Sequence, residues 1–179
     1  MGLAGILVDF AKGVTPVLIG TSLGFSLPVI TAAGLAVVSG QMWSIFSGFD
    51  GEKGNSIGLA MAGALAPTSM FIALVPVTIG AAIRTLPRLL DTQQSLNERL
   101  KLGGPPSRSL PLGMAIGFLL LPFASWWLKE PLVITSGYIA LFILIMVRRL
   151  TAGLRGNLMA SSDMGRILLN RLLYDRSGY

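Results

Sequence analysis

The sequence predicts an all-α fold: a polytopic membrane helix bundle of about six spans, one pair of which is a hairpin of short helices. Three observations predict it. The 179 residues are 53% hydrophobic and only 12% charged, with a mean hydropathy of +0.72, too few charges to cover a soluble surface. Apolar runs of helical length recur along the chain, separated by glycine, proline and charged residues. Under that layout all of the 14 lysines and arginines except Lys129 fall on one side of the membrane, which marks that side as cytoplasmic.

Composition also limits the chemistry. The chain has no cysteine and no histidine, which excludes disulfides, a thiol nucleophile, a Ser-His-Asp triad and the usual zinc sites. No metal and no cofactor are expected, and catalysis is left to carboxylates, lysine, arginine and backbone. In a chain this apolar the net charge of +6 points to a membrane face and not to nucleic acid. Met1 to Val8 is too short for a cleavable signal peptide and an acidic residue follows at once, so insertion is expected to rely on the spans. Residues 1–150 read as the membrane bundle and 151–179 as a cytoplasmic amphipathic tail.

The first span runs from Gly2 to Leu27 and carries Asp9 and Lys12, three residues apart and so on one helix face. An ionisable pair at that depth marks a functional site or a structural ion pair closing the helix end. Pro28 opens the second span, Val29 to Phe46, whose small residues suit close helix packing and whose Trp43 marks an interface. Gln41 ends near the loop that follows. Ser56 to Ala66 is too short to span, and Pro67-Thr68 separates it from Ser69 to Ile83. Read as two short antiparallel helices, these segments keep the Lys53 loop and the basic segment from Arg84 to Arg108 on one side. Leu89, Leu90, Leu96 and Leu100 predict a short interfacial helix between Pro87 and Leu102. Leu110–Leu128 and Leu132–Val147 are spans joined at Lys129-Glu130-Pro131, with Trp126 and Trp127 at the outer interface. In the tail, Asp163 is placed to cap a helix carrying Met164, Ile167, Leu168, Leu172 and Leu173.

The stretch Phe49-Asp50-Gly51-Glu52-Lys53-Gly54-Asn55-Ser56 interrupts this apolar pattern. Its glycines let the backbone fold tightly and turn several N–H groups toward one spot, at the positive N-terminus of the helix that follows, with Lys53 beside it. Such a spot suits a phosphate. The octapeptide lacks the full phosphate-loop spacing, and by itself it is equally a solvated turn between two helices.

Asp9-Phe10-Ala11-Lys12-Gly13-Val14-Thr15-Pro16 matches the pattern Asp-x-x-Lys-Gly-x-x-Pro. Gly40-Gln41-Met42-Trp43-Ser44-Ile45-Phe46 and Gly48-Phe49-Asp50-Gly51-Glu52-Lys53-Gly54 then follow Gly-His-x-Phe-Pro-Val-Phe and Phe-Lys-Gly-Gly-Lys-Gly without a gap. In these blocks the chain resembles the bacterial acyl-phosphate-dependent glycerol-3-phosphate acyltransferases, small multi-span enzymes that make lysophosphatidic acid at the inner membrane. Arg166 and Asn170-Arg171-Leu172-Leu173, or else Arg148-Arg149, stand where that family has a closing arginine-rich pattern. Gln41 replaces the family's histidine, Ser44 its proline, Asp50 its first lysine and Glu52 a loop glycine. A Ser-Gly-Asn-x-Gly-Ala-Thr-Asn segment should precede Asp9 and has no counterpart, so the sequence is expected to be either an N-terminal truncation or a divergent relative with poor turnover.

The resemblance implies acyl transfer from acyl phosphate to glycerol 3-phosphate in phospholipid biosynthesis, in the bacterial inner membrane with both termini cytoplasmic. The alternative is an inactive relative that binds a phosphate-bearing lipid or acyl phosphate. It also implies the roles: Gly51, Lys53, Gly54, Asn55 and Ser56 cradling phosphate, Lys12 a second anion contact, Asp9 orienting Lys12, and Gln41 bonding a substrate hydroxyl. No residue is assigned as the proton acceptor. A small transporter is disfavoured because no acidic or basic residue interrupts the spans Leu110–Leu128 and Leu132–Val147.

Overall fold

A computed structural model of the chain describes residues 3–90, 109–152 and 164–174. Seven α-helices are present among them: α1 Leu3–Ser22, α2 Leu27–Met42, α3 Asn55–Leu65, α4 Pro67–Leu90, α5 Ser109–Trp127, α6 Leu132–Thr151 and α7 Met164–Tyr174. Four, namely α2 with the turn after it, α4, α5 and α6, are long and apolar enough to cross a bilayer. With α1 and the short α3 they give the expected layout of about six spans. Leu18, Phe71 and Phe123 point outward, as a bundle solvated by lipid allows. Most of the interfacial helix expected between Pro87 and Leu102, and the Asp163 cap, lie outside the described residues.

The expected hairpin forms with one short arm and one long one. α3 is 11 residues, but α4 runs for 24, straight through Pro76 and Pro87. Ala66 adopts an extended conformation and breaks the chain between them, with Pro67 opening α4 where its missing N–H costs nothing. The hairpin returns the chain to the end where it began. Gly117 lies against Ala73, Gly113 against Pro76 and Gly80 against Ser109, a register that makes α4 and α5 antiparallel at backbone-to-backbone distance.

Several polar groups inside the bundle are paired between helices. The Tyr138 hydroxyl on α6 donates to the Ala62 carbonyl at 2.8 Å, fixing α3 against α6. At the end away from the Lys53 loop, Ser69 Oγ donates to Glu130 Oε1 at 2.7 Å, and Ser125 and Thr135 hydroxyls lie 2.8 Å apart. At the opposite end two buried arginines hold α7. Arg149 Nη1 donates to the carbonyls of Pro111 and Leu172, and Arg171 Nη1 to those of Leu150 and Ala152. The Leu172, Leu150 and Ala152 carbonyls lie at C-terminal helix ends, which leave them open, while Pro111 belongs to the first turn of α5.

Candidate active site

The loop between α2 and α3 owes its shape to the last turn of α2. After Met42 the chain makes a short 3₁₀ turn, Ile45–Ser47, passes through left-handed conformations at Gly48 and Phe49, and doubles back. The Gly51 and Glu52 N–H groups then donate to the Met42 and Gln41 carbonyls, both at 3.2 Å, closing orphan acceptors of α2. Gly51 is required by this return: a Cβ there would overlap the Gln41 carbonyl oxygen. Gly54 follows at φ +73°, a conformation few other residues adopt, and its carbonyl accepts the Gly58 N–H at 2.8 Å to start α3. No side chain caps this start, so the first-turn N–H groups of α3 are directed at the space in front of the helix.

That space is a cavity of about 380 Å³ lined by Asp9, Gln41, Gly51, Glu52, Lys53, Gly54, Asn55, Ser56 and Ile57. Asp9 reaches it because α1 crosses α3 at Gly13, where the absence of a side chain lets the helix lie directly on Ile57, Ala60 and Met61. One turn before that crossing, Asp9 is buried, at 6% exposure. Its Oδ1 accepts from Gln41 Nε2 at 3.5 Å and faces Lys12 Nζ at 3.8 Å, while Lys12 Nζ also donates to Gln41 Oε1 at 3.3 Å. Lys12 lines the adjoining apolar groove with Val8, Ala11, Thr15, Pro16 and Val37. It thus stands between the two concavities.

A second cation holds the loop from the far side. Arg148, at the end of α6 and 4% exposed, donates through Nη2 to Asp50 Oδ1 at 2.7 Å and to the Gly51 carbonyl at 2.6 Å, and through Nε to the Glu52 carbonyl at 3.4 Å. Beside it, burial and the negative charge of Asp9 raise the Glu52 carboxyl above the ordinary glutamate range, against the opposing pull of Gln41 and Lys12. The cavity therefore joins a cationic wall, made by Lys53 and the start of α3, to an acidic one made by Asp9 and Glu52.

Of the eight residues singled out from the sequence, seven line the cavity: Asp9, Gln41, Gly51, Lys53, Gly54, Asn55 and Ser56. Lys12 joins them through Gln41 and Asp9. Arg148 was missed as a loop contact. Its signal was present in Asp50: an acidic residue where the related pattern has lysine calls for a cation elsewhere.

Comparison with known proteins identifies the family and the fold. The family model described as glycerol-3-phosphate acyltransferase matches residues 1–155. The chain is 27% identical to glycerol-3-phosphate acyltransferase 5 of Dehalococcoides mccartyi strain 195, over 98% of this chain and 67% of the relative. It is 40% identical to the Geobacter sulfurreducens glycerol-3-phosphate acyltransferase over a shorter stretch, 41% of this chain and 38% of that one. The fold is similar to the crystal structure of PlsY, an integral membrane glycerol 3-phosphate acyltransferase in its lysophosphatidic acid form, with a TM-score of 0.63 at 22% identity over 95% of this chain and 72% of that one. Since the family model takes in all the residues of the cavity and most of the chain, the chain belongs to the glycerol-3-phosphate acyltransferase family.

Proposed function

We propose that this membrane protein transfers an acyl group from acyl phosphate to glycerol 3-phosphate, releasing inorganic phosphate and lysophosphatidic acid, and that the cavity before α3 is where it does so. The observation that carries this reading is the uncapped start of α3, with Lys53 and the Gly51–Gly54 backbone around one space. An acyl phosphate is an activated donor. The protein has chiefly to hold two phosphate-bearing molecules together and to stabilise charge that develops between them. Lys53, Gly51, Gly54, Asn55 and Ser56 hold one phosphate; Lys12, oriented by Asp9, contacts the second anion, and Gln41 bonds a substrate hydroxyl. The apolar groove beside Lys12 suits the acyl chain, which would leave its head at the cavity.

Lys53→Ala is expected to weaken binding of glycerol 3-phosphate about tenfold or more, since one charge-assisted hydrogen bond is worth roughly 1.5–3 kcal/mol. Lys129→Ala, in the turn at the other end of the bundle, should leave affinity unchanged. Titration of both purified variants with glycerol 3-phosphate checks this, and equal effects would make the loop a solvated turn.

The site end of the bundle, both termini and residues 151–179 are assigned to the cytoplasmic side of a bacterial inner membrane on the lysine and arginine bias. Cysteine placed at Ser47 should be shielded from an impermeant thiol reagent in intact cells, and at Lys129 it should be labelled. The reverse pattern would invert the topology.

A further inference from the structure

We infer that Arg171 is a positioning residue for the Lys53 loop: from α7 it fixes the last turn of α6, and that turn carries Arg148 to the loop. So far as it concerns turnover, this rests on the acyltransferase reading proposed above. Three segments meet at the end of α6. Arg148 and Arg149 are consecutive, so their side chains leave the helix about 100° apart and reach different neighbours. Arg148 turns to the loop, where it donates to Asp50 and to the Gly51 and Glu52 carbonyls. Arg149 turns to the start of α5 and the end of α7, where it donates to the Pro111 and Leu172 carbonyls. Both side chains are buried.

A helix end does not hold such a junction by itself. Only Arg149, Leu150 and Thr151 follow Arg148 in α6, and the carbonyls of a last turn find no donor further along the helix. The Arg148 carbonyl is closed locally, by the Ala152 N–H at 2.9 Å and the Thr151 hydroxyl at 3.4 Å. Those of Leu150 and Ala152 are closed from outside the helix, by Arg171 Nη1 at 3.1 and 2.7 Å. Arg171 is buried there, its charge set against the negative end of the α6 dipole. The contact is reciprocal: Arg149 of α6 reaches a carbonyl at the end of α7, and Arg171 of α7 reaches two at the end of α6. Charge-assisted bonds of this kind are the stronger class, and together they dock the two helix ends as a unit. Arg171 does not line the cavity, so its influence on the loop passes through α6 and Arg148.

The test uses the full chain purified in detergent, with acyl phosphate and glycerol 3-phosphate as substrates. Arg171→Met keeps an apolar stem and removes the donors, and is expected to lower kcat/KM about 30-fold. Arg171→Lys, whose ammonium can still donate to both carbonyls, should stay within about fivefold of the wild type. The loss should require Arg148. Arg148→Ala combined with Arg171→Met is expected within about threefold of Arg148→Ala alone, because residues that act through one contact are not additive. The chain has no cysteine, so a nitroxide on a single introduced cysteine reports one place. On Phe49→Cys, beside Asp50, the label should become more mobile with Arg171→Met and recover with Arg171→Lys. On Lys129→Cys, at the other end of the bundle, it should not change. Separate losses that multiply in the double variant would overturn the inference, as would wild-type loop mobility in Arg171→Met. An equal gain of mobility at both labels would also overturn it, since that is general loosening of the bundle. A wild-type chain that forms no lysophosphatidate would instead overturn the acyltransferase reading, and the label mobilities would still decide whether Arg171 holds the loop.

Discussion

Arg148→Ala is expected to lower kcat/KM for acyl transfer about 100-fold while leaving the helices assembled. Its ion pair with Asp50 is a small part of this, because Asp50 is 73% exposed and pairs of that kind contribute little. The larger part is the pair of carbonyl bonds. A buried guanidinium donating to the Gly51 and Glu52 carbonyls holds the two residues that shape the loop, and hydrogen bonds from a charged group are worth roughly 1.5–3 kcal/mol each. Losing about 3 kcal/mol of loop positioning corresponds to roughly two powers of ten. Asp50→Ala separates the contributions: it removes the ion pair and keeps the carbonyl bonds, and should cost less than about fivefold. Arg148→Lys should recover only part of the activity, because one ammonium cannot reproduce the planar fork. Steady-state kinetics beside melting curves in detergent read these differences, and wild-type kinetics for Arg148→Ala would mean that α2 alone holds the loop.

Gly13→Val is expected to abolish activity and lower thermal stability together. At the crossing of α1 and α3, a Cβ on residue 13 would overlap the Ile57 carbonyl oxygen and lie 2.7 Å from Ala60 Cβ and 3.1 Å from the Met61 nitrogen. Two of those three neighbours are backbone, which no rotamer change can clear. Overpacking of this kind costs about 1–3 kcal/mol, and here the relief available is to move α1 off α3. Asp9 and Lys12 lie on α1 within one turn of the contact, so the same movement would pull them from Gln41 and the cavity. A fall in acyl transfer beyond about 1000-fold follows if both substrate anchoring and cavity shape are lost. Gly5→Val, on the same helix with nothing within 4 Å of its Cβ, is the control and should behave as wild type. Equal melting temperatures and rates for the two variants would show that the crossing tolerates a side chain.

Much of the fold was legible because a bilayer allows few choices. Runs such as Leu110–Leu128 and Leu132–Val147 must satisfy their own backbone in hydrocarbon, and they form α5 and α6 within a few residues of the expected limits. The hairpin at Pro67 was legible for the same reason, through the missing N–H of proline and the need to bring the chain back to one face. The length of α4 was not. The second arm was expected to end at Ile83, with a separate interfacial helix after Pro87, yet one helix continues through Pro76 and Pro87 to Leu90, with Ala73, Pro76 and Gly80 packed closely on α5.

The sequence by itself determined the chemistry on offer: no thiol, no imidazole, a glycine-rich basic loop opening a helix, and an Asp-Lys pair on one face of the first span. Those are properties of residue type and local spacing, which the backbone must express wherever the segments lie. Only the tertiary structure decided that Asp9 and Gln41, 32 residues apart, meet at one cavity, that Lys12 bridges that cavity to an apolar groove, and that Arg148, 96 residues beyond Glu52, holds the loop. The physical reason is that these contacts depend on where helices cross. In a membrane bundle the crossings are set by how closely small residues such as Gly13, Gly80 and Gly113 let backbones approach, which is a property of pairs of elements and has no local signature.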